Sequence, residues 1–264
     1  MPMAQVDDIK IFYNVLGNGF PLLMIHGLND ISDNWNRSLI RGLSEKFKLV
    51  LFDVPGSGRS ELSNKEPSIK LFAKETSSLM NTIGITKAHI LGMSLGGMIA
   101  QELVLNYPEK VEKLVLCSTQ CGGSRQIPAS MKASQAPIGN RAALFREEAV
   151  RNSVKFLFTE EFIKNNPSYI EDHIQRRLST TASKKGLMGQ IKAAMNHSTC
   201  ERLSKINVPT LILHGKKDMG FPPEKGLILA EAIPNAKLVF LENSSHYLAE
   251  DSEKVLDAIL NFLD

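Results

Sequence analysis

Leu91-Gly92-Met93-Ser94-Leu95-Gly96-Gly97 stands between two runs of different character. Before it, Lys87-Ala88-His89-Ile90-Leu91 is short and apolar at its end, which predicts a strand. After it, Met98-Ile99-Ala100-Gln101-Glu102-Leu103-Val104-Leu105 is apolar and predicts a helix. Gly92-x-Ser94-x-Gly96 is therefore a G-x-S-x-G set between strand and helix, the context a nucleophile elbow requires. Such a turn is too tight for side chains beside the serine, so glycines flank it. The serine oxygen is held above the sheet edge. The helix amides behind it favour negative charge where a tetrahedral intermediate would carry it.

Working outward, strand alternates with helix. Ile9 to Val15 predicts a strand closed by the turn Leu16-Gly17-Asn18-Gly19. Pro21-Leu22-Leu23-Met24-Ile25 and Lys48-Leu49-Val50-Leu51-Phe52-Asp53 are continuous apolar runs, the pattern of strands covered on both faces. A helix is expected near Asp33-Asn34-Trp35 and another over 69–83. Val111 to Cys117, Val208 to Gly215 and Lys237 to Leu241 predict further strands, with helices over 223–233 and 251–263. The alternation specifies an α/β fold with a mostly parallel, doubly wound sheet. Ligands in such sheets sit beyond the C-terminal strand ends. His26-Gly27-Leu28, Asp53-Val54-Pro55-Gly56 and Ser94 all fall there.

The alternation stops after Ser118 and resumes near 205, which divides the chain into a core of 1–119 and 205–264 and a helical cap, or lid, of 120–204. The cap predicts helices over 141–158, 168–182 and 184–197. Twelve Lys/Arg face six Asp/Glu within 121–200, although the whole chain carries only +3. This surplus reads first as a solvated helical surface and second as a lid that draws acidic substrates. The candidate pocket residues are Met93, Met131, Phe145, Met188 and Met219, with Phe156, Phe158 and Met195 beside them in the cap. Apolar cap residues at helical spacing also serve as core. Three cysteines, Cys117, Cys121 and Cys200, are few and odd in number, which predicts reduced structural thiols and a cytoplasmic protein.

A serine hydroxyl needs an adjacent base. In a sheet of this kind the order along the chain is Ser, acid, His. Gly215-Lys216-Lys217-Asp218 places Asp218 after one strand, and Glu242-Asn243-Ser244-Ser245-His246 places His246 after the next. His246 would take the serine proton, and Asp218 would fix its tautomer. Glu242 and Asp53 are the rival acids. Among the other histidines, His26 reads as a loop brace and His214 as packed, His89 lies too early in its strand, and His173 and His197 fall in the cap. The oxyanion donors would be the backbone N–H groups of Leu28 and Leu95.

Together, His26-Gly27-Leu28, Asp53-x-Pro55-Gly56-x-Gly58-x-Ser60, Gly92-Met93-Ser94-Leu95-Gly96-Gly97, Asp218 and His246 resemble the α/β-hydrolase superfamily over nearly the whole chain. Within it the pattern is similar to small single-cap esterases and to the 3-oxoadipate enol-lactonase-like group. Met93 stands where many members have His, and Ser245 where Gly is usual. Ser94 argues against haloalkane dehalogenases and epoxide hydrolases, which carry Asp at the elbow. The expected function is a serine carboxylesterase acting on small to medium acyl esters. A lactonase or C–C bond hydrolase with the same triad is the alternative, and a hydrolase-like small-ligand receptor comes after these. No metal or organic cofactor is implied. The expected partner is a small-molecule ester, and a homodimer is compatible with the sequence. The modest charge and the lack of a basic, aromatic-interleaved stretch argue against nucleic acid. No signal peptide or membrane span is expected.

Overall fold

Pro21–Ile25 (β3), Lys48–Phe52 (β4), Ala88–Met93 (β5), Val111–Cys117 (β6), Thr210–Gly215 (β7) and Ala236–Leu241 (β8) run parallel in one sheet. The computed structural model describes residues 2–123, 144–179 and 183–264. Met3–Val6 (β1) and Ile9–Leu16 (β2) extend the sheet antiparallel to its first edge, giving the order β1-β2-β4-β3-β5-β6-β7-β8. β5 and β7 are buried along their whole length, as their unbroken apolar runs require, whereas β8 at the far edge is only partly covered. β1 has no counterpart in the sequence reading. Four residues are too few to show a period, and pairing with β2 supplies what local sequence does not.

Helices cover both faces. Ile69–Thr82 (α2), Leu95–Asn106 (α3) and Glu224–Ala232 (α8) pack one apolar layer with Phe72, Leu79, Ile99, Leu103 and Leu229 at its centre. Arg37–Ser44 (α1) and Ser252–Leu263 (α9) close the other through Leu39, Leu43, Val255 and Ile259. The helix expected near Asp33-Asn34-Trp35 resolves into a short 3-10 turn, Ser32–Asn34, and then α1. Asn36 caps α1 by accepting the Ser38 and Leu39 amides, which fixes its start after Trp35. Between β6 and β7 the described elements are helical: Leu144–Leu157 (α4), Glu160–Asn165 (α5), Pro167–Ser179 (α6) and Lys184–Met195 (α7).

The expectation of reduced cysteines is corrected. Cys121 and Cys200 form a disulfide, and only Cys117 is a free, buried thiol. The bond joins the segment just after β6 to the 3-10 turn Cys200–Lys205 that precedes β7. Gly122 bridges Ser198, the Thr199 N–H donates to the Cys121 carbonyl, and Gly123 N–H donates to the His197 carbonyl. A separation of 79 residues hides this neighbourhood from the sequence. Closing a loop of that size stabilises the fold by about 4 kcal/mol. Among the described residues no helix is long and apolar enough to cross a membrane.

α2 buries one group at a cost. Glu75 is 2% exposed and neither carboxylate oxygen has a partner among the described residues. Burial, aided by the nearby Asp8 charge, raises its pKa to about 7. A carboxyl whose pKa is raised on folding favours the native state while neutral. That advantage is complete below the unfolded carboxyl range and is lost as pH rises through about 7. Glu75→Gln should therefore raise Tm at pH 8 on the order of 5 °C and leave it nearly unchanged at pH 5. Equal Tm differences at both pH values, measured by calorimetry, would contradict this.

Candidate active site

The elbow is built by exclusion of side chains. A Cβ on Gly92 would lie 2.4 Å from the Gly96 carbonyl oxygen, and one on Gly96 would lie 2.0 Å from that of Ile25. Both are far inside contact distance, so the backbone of β5, α3 and β3 converges only because these positions are glycine. Ser94 itself takes φ 55° and ψ −118°, a conformation costly for an L residue. The surroundings hold it there. Ser94 N–H donates to the Cys117 carbonyl at 2.9 Å, and the Ser94 carbonyl accepts from Thr119 Oγ1 at 2.7 Å and from Gly97 N–H at 3.0 Å.

The three residues singled out as a triad meet in space. Ser94 Oγ is 3.0 Å from His246 Nε2, and His246 Nδ1 is 2.8 Å from Asp218 Oδ2. They come from the ends of β5, β8 and β7. Asp218 is fixed by its other oxygen, Oδ1, which accepts the Gly220 and Phe221 N–H groups, each at 2.8 Å. His214, buried beneath, has Nε2 2.7 Å from the Phe221 carbonyl. Burial pushes its pKa down, so it is a neutral donor that braces the acid's loop. Glu242, the rival acid, points outward to Lys216 at 2.7 Å. Asp53, the other rival, is consumed by Ser32 and Arg59.

The turn after β3 lies against the serine. A Cβ on Gly27 would stand 3.3 Å from Ser94 Cβ and 3.7 Å from Ser94 Oγ. Neither Leu28 N–H nor Leu95 N–H meets an acceptor among the described residues. His26 braces the turn, as its position suggests. Its Nδ1 accepts the Gly27 N–H at 2.8 Å, and its Nε2 lies 3.2 Å from Tyr247 Oη. Tyr247 donates to Asp30 Oδ2 at 2.9 Å. Burial opposes ionisation of Asp30, but His26, Arg177 and the Asn34 amide more than offset this and hold its pKa below the usual carboxylate range. Burial, with the Asp30 charge next, keeps the Tyr247 hydroxyl protonated. Sequence reading missed Tyr247 and Asp30. The one available signal was that Tyr247 adjoins His246.

The segment 120–204 touches the site from two directions. The end of α4 holds the histidine loop: Leu157 carbonyl accepts the Tyr247 N–H at 2.9 Å and Glu250 Oε1 accepts the Thr159 N–H at 2.8 Å. α7 reaches the other side, where Gln190 meets residues 29, 55 and 57. Four of the basic residues in this segment are paired: Arg151 with Glu147 and Glu171, Arg176 with Asp172, Arg177 with Asp30, and Lys192 with Glu66.

The pocket candidates separate. Met93 is 5% exposed and lines a small apolar cavity of about 30 Å³ with Trp35, Leu39 and Cys117. Strand alternation turns it to the α1–α9 face. Met188 and Met219 are 43% and 61% exposed, and Met195 is likewise exposed. Phe158 belongs to a separate apolar cluster with Val154, Ile170, Ile174 and Ala249, and Phe156 is half-buried, its carbonyl accepting from Ser245 Oγ. Met131 lies outside the described residues, as does the side chain of Phe145.

Residues 21–253 match the family described as the alpha/beta hydrolase fold. The chain belongs to that family. RutD of Azorhizobium caulinodans, named for carbamate hydrolysis, is 26% identical over 260 residues, covering 98% of this chain and 97% of that protein. A 2-hydroxy-6-oxononadienedioate/2-hydroxy-6-oxononatrienedioate hydrolase of Dechloromonas aromatica is 29% identical over 269 residues, covering 97% and 91%. The enol-lactonase of Burkholderia xenovorans superposes with a TM-score of 0.85 at 22% identity over 99% of each chain. At that identity the last likeness speaks for the fold. The alpha/beta hydrolase assignment and the resemblance drawn from the motifs thus agree.

Proposed function

We propose that this alpha/beta hydrolase is a serine carboxylesterase. The observation that carries the reading is the unbroken relay from Ser94 Oγ through His246 to Asp218, at 3.0 and 2.8 Å. Ser94 Oγ attacks the ester carbonyl as its proton passes to His246 Nε2. The carbonyl oxygen becomes an oxyanion facing the Leu28 and Leu95 amides, each donor contributing about 3 kcal/mol at the transition state. His246 then protonates the leaving alcohol, which leaves an acyl group on Ser94. Water, deprotonated by His246, attacks that acyl group and restores the free serine. Asp218 stabilises the imidazolium in both halves. The scheme uses no metal or organic cofactor.

Residues 120–204 act in this reading as the cap that sets the acyl group, over the core formed by 1–119 and 205–264. The partner is a small ester. A second reading has support from two observations. Several relatives are named for cleaving dienedioates, which are dicarboxylates, and this chain's cap is rich in Lys and Arg. A panel of p-nitrophenyl esters of rising chain length, a lactone and a dienedioate decides between the two. The carboxylesterase reading expects the highest kcat/KM on short to medium esters. A dienedioate preferred at least tenfold would move the assignment to C–C hydrolysis, and a steady rise toward long-chain esters would contradict the acyl-size expectation.

A further inference from the structure

Gln190 lies on α7, a helix of the cap, yet its side chain is fully buried and all its partners are core groups. Its Oε1 accepts the Asn29 N–H at 2.9 Å. Its Nε2 donates to the Pro55 carbonyl at 3.1 Å and to Ser57 Oγ at 2.9 Å. One amide therefore ties together the loops after β3 and β4, which border the site. Its orientation is set, because an N–H faces one end and a carbonyl the other. An apolar residue here would leave buried backbone groups without partners.

The approach is close enough to keep α7 in place. Gly186 meets the loop backbone directly, since a Cβ on it would lie 2.0 Å from the Gly56 carbonyl oxygen. Lys192 adds an ion pair with Glu66 at 2.5 Å. This end of the cap is bolted to the core.

The group Gln190 holds is the significant one. Asn29 has φ +52°, a left-handed conformation uncommon outside glycine. The turn closes with Asp30 N–H on the Gly27 carbonyl at 3.3 Å. Leu28 sits inside this turn, so the peptide that Gln190 grips is the one following the Leu28 amide. Fixing the Asn29 N–H restrains Leu28 ψ and Asn29 φ together. We propose that Gln190 is a positioning residue, through which the cap sets the backbone of the oxyanion turn. This rests on the proposed serine chemistry, in which the Leu28 amide faces the oxyanion. The cap then contributes to the rate of reaction as well as to the choice of substrate.

The test reads the rate at which a fluorophosphonate probe labels Ser94, which needs no knowledge of the substrate. Gln190→Met removes donor and acceptor at similar volume. It should label roughly 10- to 100-fold more slowly than wild type, part of the loss caused by deleting an oxyanion donor. On any ester the protein hydrolyses, kcat should fall while KM holds. Lys192→Ala loosens α7 without touching Asn29 and should label within threefold of wild type. Labelling of Gln190→Met at the wild-type rate, or an equal loss in Lys192→Ala, overturns the proposal. Should Gln190→Met not fold, hydrogen exchange at the Asn29 amide of the wild-type protein decides. Strong protection supports the role, and exchange at the rate of an open loop overturns it. Failure of the wild-type protein to label would instead count against the serine chemistry itself.

Discussion

Ser94→Ala should lower kcat on a short p-nitrophenyl ester by about 10⁴- to 10⁶-fold and change KM little. The size follows from how the site is divided. Removing Oγ leaves the Leu28 and Leu95 amides and the binding surface in place, so ground-state affinity survives. What disappears is the nucleophile, and with it the acyl intermediate and the role of His246. The residual rate reports attack by water in a preorganised site. The small side chain of Ala should be accepted because the left-handed strain at this position is already carried by the flanking glycines and by Thr119. A variant that keeps a tenth of the activity with unchanged Tm would place the chemistry elsewhere.

Asp218→Asn should cost about 10⁴-fold in kcat, although it alters a single atom. The geometry determines which way the new amide lies. Oδ1 of Asp218 accepts two backbone N–H groups, from Gly220 and Phe221, so the amide oxygen must take that position. The NH2 then faces His246 Nδ1, where the carboxylate Oδ2 had accepted a hydrogen bond from Nδ1–H at 2.8 Å. A donor there forces Nδ1 to accept and moves the imidazole proton to Nε2. That nitrogen lies 3.0 Å from Ser94 Oγ and can no longer take its proton. The loss is one of tautomer, with the fold intact, so kcat should collapse while Tm moves little. A loss under tenfold would mean another acid orients His246. Glu242 is poorly placed for that, being exposed and paired with Lys216.

Much of this was legible in the sequence, for a physical reason. Strand ends in a parallel sheet converge on one rim, so Ser94, Asp218 and His246 share a site once β5, β7 and β8 are recognised. Each of these strands announces itself by an apolar run, and the glycines at 92 and 96 permit the close backbone approach that the elbow needs. Contacts made by the cap were not legible. Gln190 resembles any polar residue on a helix until α7 is docked against residues 29, 55 and 57. Cys121 and Cys200 meet only because residues 121–123 run beside residues 197–199. Met93 follows the strand's alternation and packs with Trp35, Leu39 and Cys117, a placement its position beside Ser94 does not reveal. Tyr247 works through its hydroxyl on Asp30 and His26, and nothing near it in sequence reveals that pairing.

The central claim is that Ser94 is an activated nucleophile. Reaction of the purified protein with a fluorophosphonate, followed by mass mapping, tests it most directly. A single adduct on the peptide carrying Ser94, lost in His246→Ala although the serine remains, is the predicted result. No adduct, or an adduct on another serine with Ser94 unmodified, would contradict it.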